Sequence, residues 1–377
     1  MLNLRFARRF TFIIRQAVFS AAASYKRFHM PKTTGHRDRE KYLVARLAKK
    51  IPSVGNFGRG PVRLGIGDDS AVLRPSGQTE FVVSCDFSLE GVHFRDAIHP
   101  AASIGYRCLA RATSDIAAMG ARPRYFLLAL ALPAKKASPL PKHSNWLDSF
   151  ASGLGRAARE LGLLLIGGDI TVSPSVTICI TVIGELPAGQ VISRSGARPG
   201  DLIYVTGALG AAQLGLELLL CGSAAKSAPA KLLQPHLYPR IPVAFAQTLA
   251  RRRIPSAMMD ISDGLSTDLA RLCESSHTGA RLFAAQLPKI ETSPSLPRLN
   301  IDPLQLALQG GEDYALLFTV PPKHAPLLRT IAAKTKTRIT HIGEITRSRK
   351  ILLIDRSGRA SPLEPRGWNP FRTGNRE

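Results

Sequence analysis

The sequence is poor in acidic residues, aromatic residues and long apolar runs. The last two shortages argue against nucleic-acid-binding and membrane-spanning proteins. It holds 27 Asp and Glu against 51 Lys and Arg, which gives a net charge of +24. Aromatic residues make up only 6% of the chain and do not alternate with basic ones, which disfavours a nucleic-acid-binding surface. No apolar run reaches the ~18–20 residues that a membrane-spanning helix needs. The hydrophobic fraction of 45% indicates a globular chain.

Two nucleotide-binding signatures are also missing. There is no GxxxxGK[ST] segment, and no GxGxxG lies between a strand and a helix. The five cysteines form neither a CxxC pair nor a zinc-like spacing. Most of them lie among apolar residues, so we expect buried free thiols and a reducing, cytoplasmic compartment.

The positive charge is concentrated at the beginning of the chain. Residues 1–50 carry 13 Lys and Arg but only 2 Asp and Glu, which is +11 of the total charge. Three interpretations of the first 29 residues stay open. They could be a secretory signal interrupted by Arg15, a basic amphipathic targeting or membrane-surface helix, or a dispensable extension before Met30. A basic body favours anionic partners, and nucleotides meet that condition as well as nucleic acid does.

Strand-like and helix-like segments alternate twice along the chain. We expect helices over residues 38–51, Ala101–Gly120 and Trp146–Leu161, with apolar strand runs between and after them. A linker-like stretch follows near Pro187–Gly189, and the alternation then begins again with a strand at Leu202–Thr206. The pattern predicts an α/β (α+β layered) fold in two domains. We assign residues 1–37 to a basic extension, 38–188 to an N-terminal domain and 189–377 to a C-terminal domain.

Although acids are scarce, several lie beside Gly or Ser close to apolar strand-like runs. These segments are Gly65–Ser70, Val82–Asp86, Ser114–Asp115, Ile166–Asp169, Met259–Gly264 and Gly310–Tyr314. Magnesium prefers oxygen ligands, including carboxylates and substrate phosphates. Carboxylates at strand ends project into the crevice where open α/β sheets bind ligands. The recurrence of these segments therefore predicts Mg²⁺-assisted transfer of a phosphoryl group from ATP.

Each acidic segment also has an ordinary structural interpretation. Asp86 could end a strand, and Asp115 could pair with Arg107 or Arg111. Gly167–Asp169 could form a tight turn. Asp260 and Asp263 could cap the following helix. The residues alone leave these alternatives open.

Seven ordered blocks resemble the thiamine-monophosphate kinase family, within the aminoimidazole ribonucleotide synthetase-like superfamily of ATP-using enzymes. The blocks are GIGDDSAVL (65–73), VSCDFSLEGVHF (83–94), SDIAAMGARP (114–123), IGGDI (166–170), SRSGARPGDLIYVTGALG (193–210), MDISDGLSTDL (259–269) and GGEDYALLF (310–318). The resemblance runs from about residue 38 to the end of the chain.

The resemblance implies a reaction and an architecture. ATP and thiamine phosphate would give thiamine diphosphate and ADP by direct in-line transfer, with no phosphoenzyme and no catalytic side chain. Positioning and charge neutralisation would supply the rate. The implied fold pairs an N-terminal α/β domain, whose sheet forms a homodimer, with a C-terminal α/β sandwich.

The resemblance also implies site residues. The implied metal contacts are Asp69, Ser84, Cys85, Asp86, Asp115, Asp169, Asp260 and Asp263. ATP contacts would fall on Gly168, Asp169, Arg194 and Ser262, and thiamine phosphate contacts on His93, Glu312 and Trp368. Two departures are notable. Cys85 replaces the usual threonine and is a softer, poorer magnesium ligand, and Ala112 replaces an asparagine.

Three other functions remain open at this stage. A related superfamily synthetase would act on another small molecule and would need different residues around its acceptor. A nucleic-acid-binding protein is suggested only by the charge. A non-catalytic relative is disfavoured because every carboxylate in the matching blocks is retained.

Overall fold

The computed structural model describes residues 62–64, 71–74, 77–137, 146–222, 228–290 and 302–371. Two mixed sheets, each covered by helices, confirm the expected layering of α and β elements. The helix expected over residues 38–51 and the segment that contains Asp69 lie outside the described residues. Within the described parts of the chain, no helix is long and apolar enough to cross a membrane.

The first sheet has six strands in the order β1-β2-β3-β6-β4-β5. The strands are β1 (Val62–Leu64), β2 (Ala71–Leu73), β3 (Thr79–Leu89), β4 (Arg122–Leu132), β5 (Leu164–Val172) and β6 (Thr177–Pro187). Among the described strands of this sheet, only β4 and β5 pair in parallel. The helices of this half are α1 (Ala101–Ala118), α2 (Ala134–Ala137) and α3 (Trp146–Leu161).

Helix α1 lies between the first sheet and α3, and two glycines allow the helices to touch. A Cβ on Gly105 would lie 2.1 Å from the Phe150 carbonyl oxygen, and one on Gly153 would lie 1.8 Å from that of Ala102. Neither position can therefore hold a larger residue without separating the helices. Gly120, at φ 76°, follows the end of α1 in the left-handed conformation that glycine adopts easily. This packing fixes the face of α1 that carries the polar residues described below.

The second sheet has seven strands in the order β13-β12-β9-β11-β7-β10-β8. The strands are β7 (Leu202–Thr206), β8 (Ala257–Ile261), β9 (Gly279–Phe283), β10 (Ala315–Val320), β11 (Ile339–Thr346), β12 (Ile351–Ile354) and β13 (Ala360–Pro362). Its helices are α4 (Ala211–Leu220), α5 (Ala230–Leu237), α6 (Val243–Arg251), α7 (Leu265–Ser275), α8 (Pro303–Gln309) and α9 (Ala325–Lys334). Strands β8 and β10 are buried along their full length.

Two expectations about strand ends were wrong. Gly167–Asp169 forms no turn after a strand, because β5 continues through it to Val172 and pairs with β4. Asp86 does not end a strand, because β3 continues to Leu89 in an eleven-residue pairing with β6. In both cases pairing with a neighbouring strand extends the element beyond its apolar run.

Six elements were absent from the expectations. They are α5, α8, β9, β12, β13 and the four-residue helix α2. Helix α5 has eight residues and contains Pro235, which weakens its helical pattern. Strands β12 and β13 have four and three residues, too few to show a period.

Candidate functional site

Aspartates from three separate elements face one another between the two sheets. Asp86 lies in β3, Asp115 in α1 and Asp260 at the buried end of β8. The Ser84 hydroxyl donates to Asp115 Oδ2 at 2.5 Å, and the Ser114 hydroxyl donates to Asp260 Oδ2 at 2.6 Å. The second bond joins the two halves of the chain. Four predicted metal ligands (Ser84, Asp86, Asp115 and Asp260) therefore lie in one cluster, here called the acid cluster.

The acid cluster holds more negative charge than its surroundings neutralise. Burial, followed by the charges of Asp86 and Asp260, raises the pKa of Asp115 well above its ordinary value. Burial raises the pKa of Asp260 to about 6, although the Ser114 hydrogen bond and the charge of Arg194 act in the opposite direction. Crowded, buried carboxylates are a typical arrangement for binding a cation. The donors are all hard oxygens, the ligand type that magnesium prefers, although the described residues contain no group of three acidic, His or Cys side chains close enough together to hold a metal ion.

Arginines on α1 border the acid cluster. Arg111 Nε lies 3.5 Å from Asp86 Oδ2, while Arg107 Nη2 lies 2.7 Å from Glu312 Oε1 in the other half of the chain. The suggested ion pairs of Asp115 with Arg107 or Arg111 are therefore replaced by pairs with Glu312 and Asp86. From the sequence, these arginines were expected only as partners of Asp115, and no motif indicated their place in the site.

The loop after β8 is organised by an aspartate that the sequence analysis did not single out. Asp268 Oδ2 accepts hydrogen bonds from the backbone N–H groups of Ser262, Asp263 and Gly264, at 3.0–3.1 Å. Arg271 Nη1 donates to both Asp263 and Asp268. The helix-cap interpretation of Asp260 and Asp263 is wrong, because the residue that caps α7 is Gly264 and no side chain caps the helix. The sequence feature that could have indicated the role of Asp268 is its position as the fourth residue of α7, from which its side chain can reach back to the preceding loop.

Asp169 and Gly168 are not brought to the acid cluster within this chain. Asp86 lies opposite Ile180, Ile180 opposite Leu128, and Leu128 opposite Gly168. Three strand spacings amount to roughly 14 Å. Gly168 has φ 152°, and a Cβ there would lie 1.8 Å from the Leu128 carbonyl oxygen, so the structure explains this glycine by strand packing.

The side chain of Cys85 lies on the outer face of the first sheet. Its Sγ is 3.3 Å from Cys179 Sγ and 3.4 Å from the Thr181 hydroxyl on β6. The neighbouring Ser84 and Asp86 point to the opposite face, as alternation along a strand requires. The hydrogen bond with Cys179 lowers the pKa of the Cys85 thiol to about 6. The thiol itself is therefore directed away from the acid cluster.

A small pocket beside the acid cluster contains two of the predicted acceptor-binding residues. It is lined by Ser88, His93, Phe94, Ile104, Arg107, Cys108, Arg111, Glu312 and Tyr314. The ring centroids of His93 and Trp368 are 5.9 Å apart, which brings the third predicted residue to the same region. The backbone N–H of Trp368 donates to the Asp263 carbonyl oxygen. Burial and the charges of Arg111 and Arg107 lower the pKa of His93 to about 3, so its imidazole is neutral at pH 7.

The remaining predicted ATP contacts lie near the same loop. Ser262 accepts a hydrogen bond from the Glu312 N–H through its carbonyl oxygen, and Arg194 lies close enough to Asp260 to lower its pKa. Ser276 fixes the Arg194 segment by donating to the Arg194 carbonyl oxygen. Ser262 and Arg194 therefore border the acid cluster, whereas Gly168 and Asp169 do not.

Comparison with known proteins shows the family to which the chain belongs. The sequence profile of the AIR synthase related protein N-terminal domain matches residues 67–186, and that of the C-terminal domain matches residues 198–355. Thiamine-monophosphate kinase of Escherichia coli K12 is 36% identical over 337 residues, which cover 88% of this chain and 98% of the relative. The chain belongs to the thiamine-monophosphate kinase family. The resemblance found in the sequence is thereby confirmed, and the protein is an enzyme.

Solved structures of thiamine-monophosphate kinases have the same fold. The enzyme from Stenotrophomonas maltophilia K279a is 33% identical, with a TM-score of 0.67, over 85% of this chain and 96% of that one. The structure of AaThiL complexed with AMPPCP and TMP is 28% identical, with a TM-score of 0.72, over 90% of this chain and 100% of that one. The two-domain architecture is therefore that of the thiamine-monophosphate kinase family.

Proposed function

We propose that this protein transfers the γ-phosphate of ATP to thiamine phosphate, giving thiamine diphosphate and ADP, with Mg²⁺ as its metal. The similar proteins are named thiamine-monophosphate kinases, and one of the similar solved structures is AaThiL complexed with AMPPCP and TMP. The single observation that carries the proposal is the position of the acceptor pocket. His93, Arg107 and Glu312 line a pocket immediately beside the buried aspartates of the acid cluster.

The acid cluster would hold the metal. The proposed ligands include Ser84, Asp86, Asp115 and Asp260, with Asp263 on the adjacent loop, and a backbone contact at Cys85. Asp69 and Asp169 are further proposed metal contacts, and Asp169 would act apart from the acid cluster because it lies three strands away from Asp86 within this chain. Bound magnesium would neutralise charge on the transferring phosphate. Serine hydroxyls now donate to Asp115 and Asp260, and these bonds keep the carboxylates oriented toward one another.

The acceptor pocket has a charge pattern suited to thiamine phosphate. Arg107 and Arg111 can attract the phosphate, because a guanidinium group matches phosphate oxygens in pairs. Glu312 supplies a negative charge for the cationic part of the molecule, and the Trp368 ring can stack on the thiazolium. No side chain need act as a general base, because the attacking oxygen already belongs to a phosphate anion. For ATP we propose contacts by Arg194 and Ser262, together with Gly168 and Asp169.

We further propose that the protein is a cytoplasmic homodimer that pairs through its first sheets. All nine residues of β5 are exposed, among them Leu164, Leu165, Ile166, Ile170 and Val172. A strand with this much exposed apolar surface is a typical site of association. The free state of the five cysteines supports a reducing compartment.

An acceptor panel with purified protein tests the proposal. We expect thiamine diphosphate to form from thiamine phosphate and ATP in the presence of Mg²⁺, and not after chelation of divalent metal. The panel includes thiamine, aminoimidazole-type ribonucleotides and selenide as alternative acceptors. ATP consumption that depends on one of these, with none on thiamine phosphate, would support a related superfamily synthetase and refute the proposed acceptor.

A further inference from the structure

Two buried histidines connect the first half of the chain to the acceptor pocket. His99 lies in the turn before α1, and His236 lies near the end of α5. They are 3% and 2% exposed, and their Nε2 atoms are 2.9 Å apart. A contact this short between two ring nitrogens requires that one donate a proton and the other accept it.

Backbone groups determine which histidine donates. The N–H of Arg95 can only donate, and it lies 3.1 Å from His99 Nδ1. The Arg95 carbonyl oxygen, 3.0 Å from the same Nδ1, already accepts from the N–H groups of Ile98 and His99. His99 Nδ1 is therefore the acceptor, and the proton of His99 is on Nε2. His236 Nε2 must then accept, which leaves the proton of His236 on Nδ1.

That proton lies close to the carboxylate of the acceptor pocket. His236 Nδ1 lies 3.4 Å from Glu312 Oε2, while Arg107 Nη2 lies 2.7 Å from Oε1. The backbone of Glu312 has φ 65°, a left-handed conformation, and its N–H donates to the Ser262 carbonyl oxygen. The opposite proton order would set a lone pair of His236 against an anion. One order of protons therefore avoids this repulsion, and the contact between His236 Nδ1 and Glu312 is a close polar contact rather than a formed hydrogen bond.

We propose that His99 and His236 are positioning residues: the hydrogen bond between their Nε2 atoms sets the Nδ1–H of His236 beside Glu312 Oε2, and this contact holds the Glu312 carboxylate in the orientation that binds thiamine phosphate. The inference deepens the proposed function and rests on it for the identity of the acceptor. A neutral imidazole orients the carboxylate without cancelling its charge, whereas a second cation beside Arg107 would repel the thiazolium. Burial followed by the charge of Arg107 lowers the pKa of both histidines, and that of His99 falls to about 4.

Steady-state kinetics of two variants at one position test the proposal. His236→Leu removes the donor, and we expect the KM for thiamine phosphate to rise about tenfold or more, with the KM for ATP unchanged within twofold. His236→Asn keeps an N–H near the position of Nδ1 and should recover most of the loss. The control is His277→Asn, at an exposed residue with φ 55° that asparagine tolerates.

Two kinetic results would overturn the positioning role. One is an unchanged KM for thiamine phosphate in His236→Leu. The other is an equal rise in the KM for both substrates, or a lack of recovery in His236→Asn, either of which indicates a general structural effect. Thermal melting of each variant shows whether the fold is retained before the kinetics are interpreted.

Histidine ¹⁵N NMR tests the hydrogen-bond order without reference to activity. We expect His99 as the Nε2–H tautomer and His236 as the Nδ1–H tautomer, both neutral at pH 7. The reversed order, or a protonated ring at pH 7, would refute the inference. If the wild-type protein fails to phosphorylate thiamine phosphate, the proposed function falls, and the NMR result still decides whether the ordered chain exists.

Discussion

At the residue scale, neighbouring side chains on β3 have opposite surroundings. Asp86 faces Arg111 on α1, whereas Cys85 faces Cys179 on the outer surface of the sheet. Any magnesium contact at Cys85 must therefore come from its backbone, and the soft character of its sulfur has little bearing on the metal. Substitution of the side chain should therefore affect metal-dependent activity at position 86 but not at the adjacent position 85.

The first prediction uses that contrast. Asp86→Asn removes a charge from the acid cluster, and we expect kcat to fall by about 100-fold or more, a typical loss for a group that stabilises transferring charge. Cys85→Thr restores the family's usual residue and should leave the Mg²⁺ concentration for half-maximal rate within about twofold. Asp148→Asn on the exposed side of α3 is the matched acid control. Near-normal kcat in Asp86→Asn would contradict the metal role of this carboxylate.

The second prediction concerns acid stability. His99 has a pKa near 4 in the folded protein, below the ordinary value of about 6.5 that it regains on unfolding. The unfolded state therefore binds the proton more tightly, so this stabilisation is complete above pH 6.5 and is lost as the pH falls toward 4. Between pH 7 and pH 5 the loss from His99 amounts to about 2 kcal/mol.

Urea unfolding at pH 7 and at pH 5 measures the loss of unfolding free energy that His99 causes. Aspartates with raised pKa change stability in the opposite direction, so the comparison is between the wild type and His99→Gln, which share those aspartates. We expect the wild type to lose more unfolding free energy than the variant between pH 7 and pH 5. Equal losses in the two proteins would show that His99 is not a buried neutral base.

At the element scale, α7 and the loop before it act as one unit. Asp268 on α7 binds three consecutive N–H groups of the loop, and Arg271 links Asp268 to Asp263. The loop is thereby held against β8, whose Asp260 belongs to the acid cluster. Gly367 packs on the same loop, because a Cβ there would lie 2.0 Å from the Asp263 carbonyl oxygen. The loop geometry thus depends on a helix residue outside the predicted ligands.

The third prediction separates capping from site geometry. Asp268→Asn weakens the three backbone bonds and the pair with Arg271, and we expect both a lower melting temperature and a kcat/KM for ATP reduced about tenfold. Asp302→Ala is the control, because it removes the side-chain oxygen that caps α8 through the Leu304 N–H, far along the chain from the loop. It should lower stability without changing the kinetics. If both variants lower the melting temperature and leave kcat/KM for ATP unchanged, Asp268 contributes to stability but not to the geometry of the site.

The predictable part of this site follows from local pattern. Asp260 and Asp263 stand beside a short apolar strand, and Asp115 lies in a long helix, so their elements were assigned correctly. The element of Asp169 was assigned wrongly, because pairing with β4 continues strand β5 beyond its apolar run and through Asp169. His99 and His236 are 137 positions apart, and no period or motif joins them. Their contact exists only because the two halves of the chain pack together.

At the scale of the whole molecule, the first sheet has two different faces. One face packs on α1 and α3 around buried residues such as Val82, Phe126 and Ile180. The other carries Cys85, Phe87 and Leu127, of which Phe87 is 55% exposed. Strand β5 adds an exposed apolar edge. Among the described residues, helices cover only one side of this sheet, and the exposed apolar side chains on the other side favour association.

The fourth prediction follows from that uncovered edge. Leu165→Lys together with Ile170→Lys puts charges on β5, and we expect the double variant to sediment as a monomer. The wild type should sediment at twice the chain mass of 40.8 kDa. Leu327→Lys, at an exposed leucine of α9 in the other half of the chain, should stay dimeric. A monomeric wild type in sedimentation velocity would remove the basis for a dimer. Dissociation of the Leu327→Lys control would move the interface away from the first sheet.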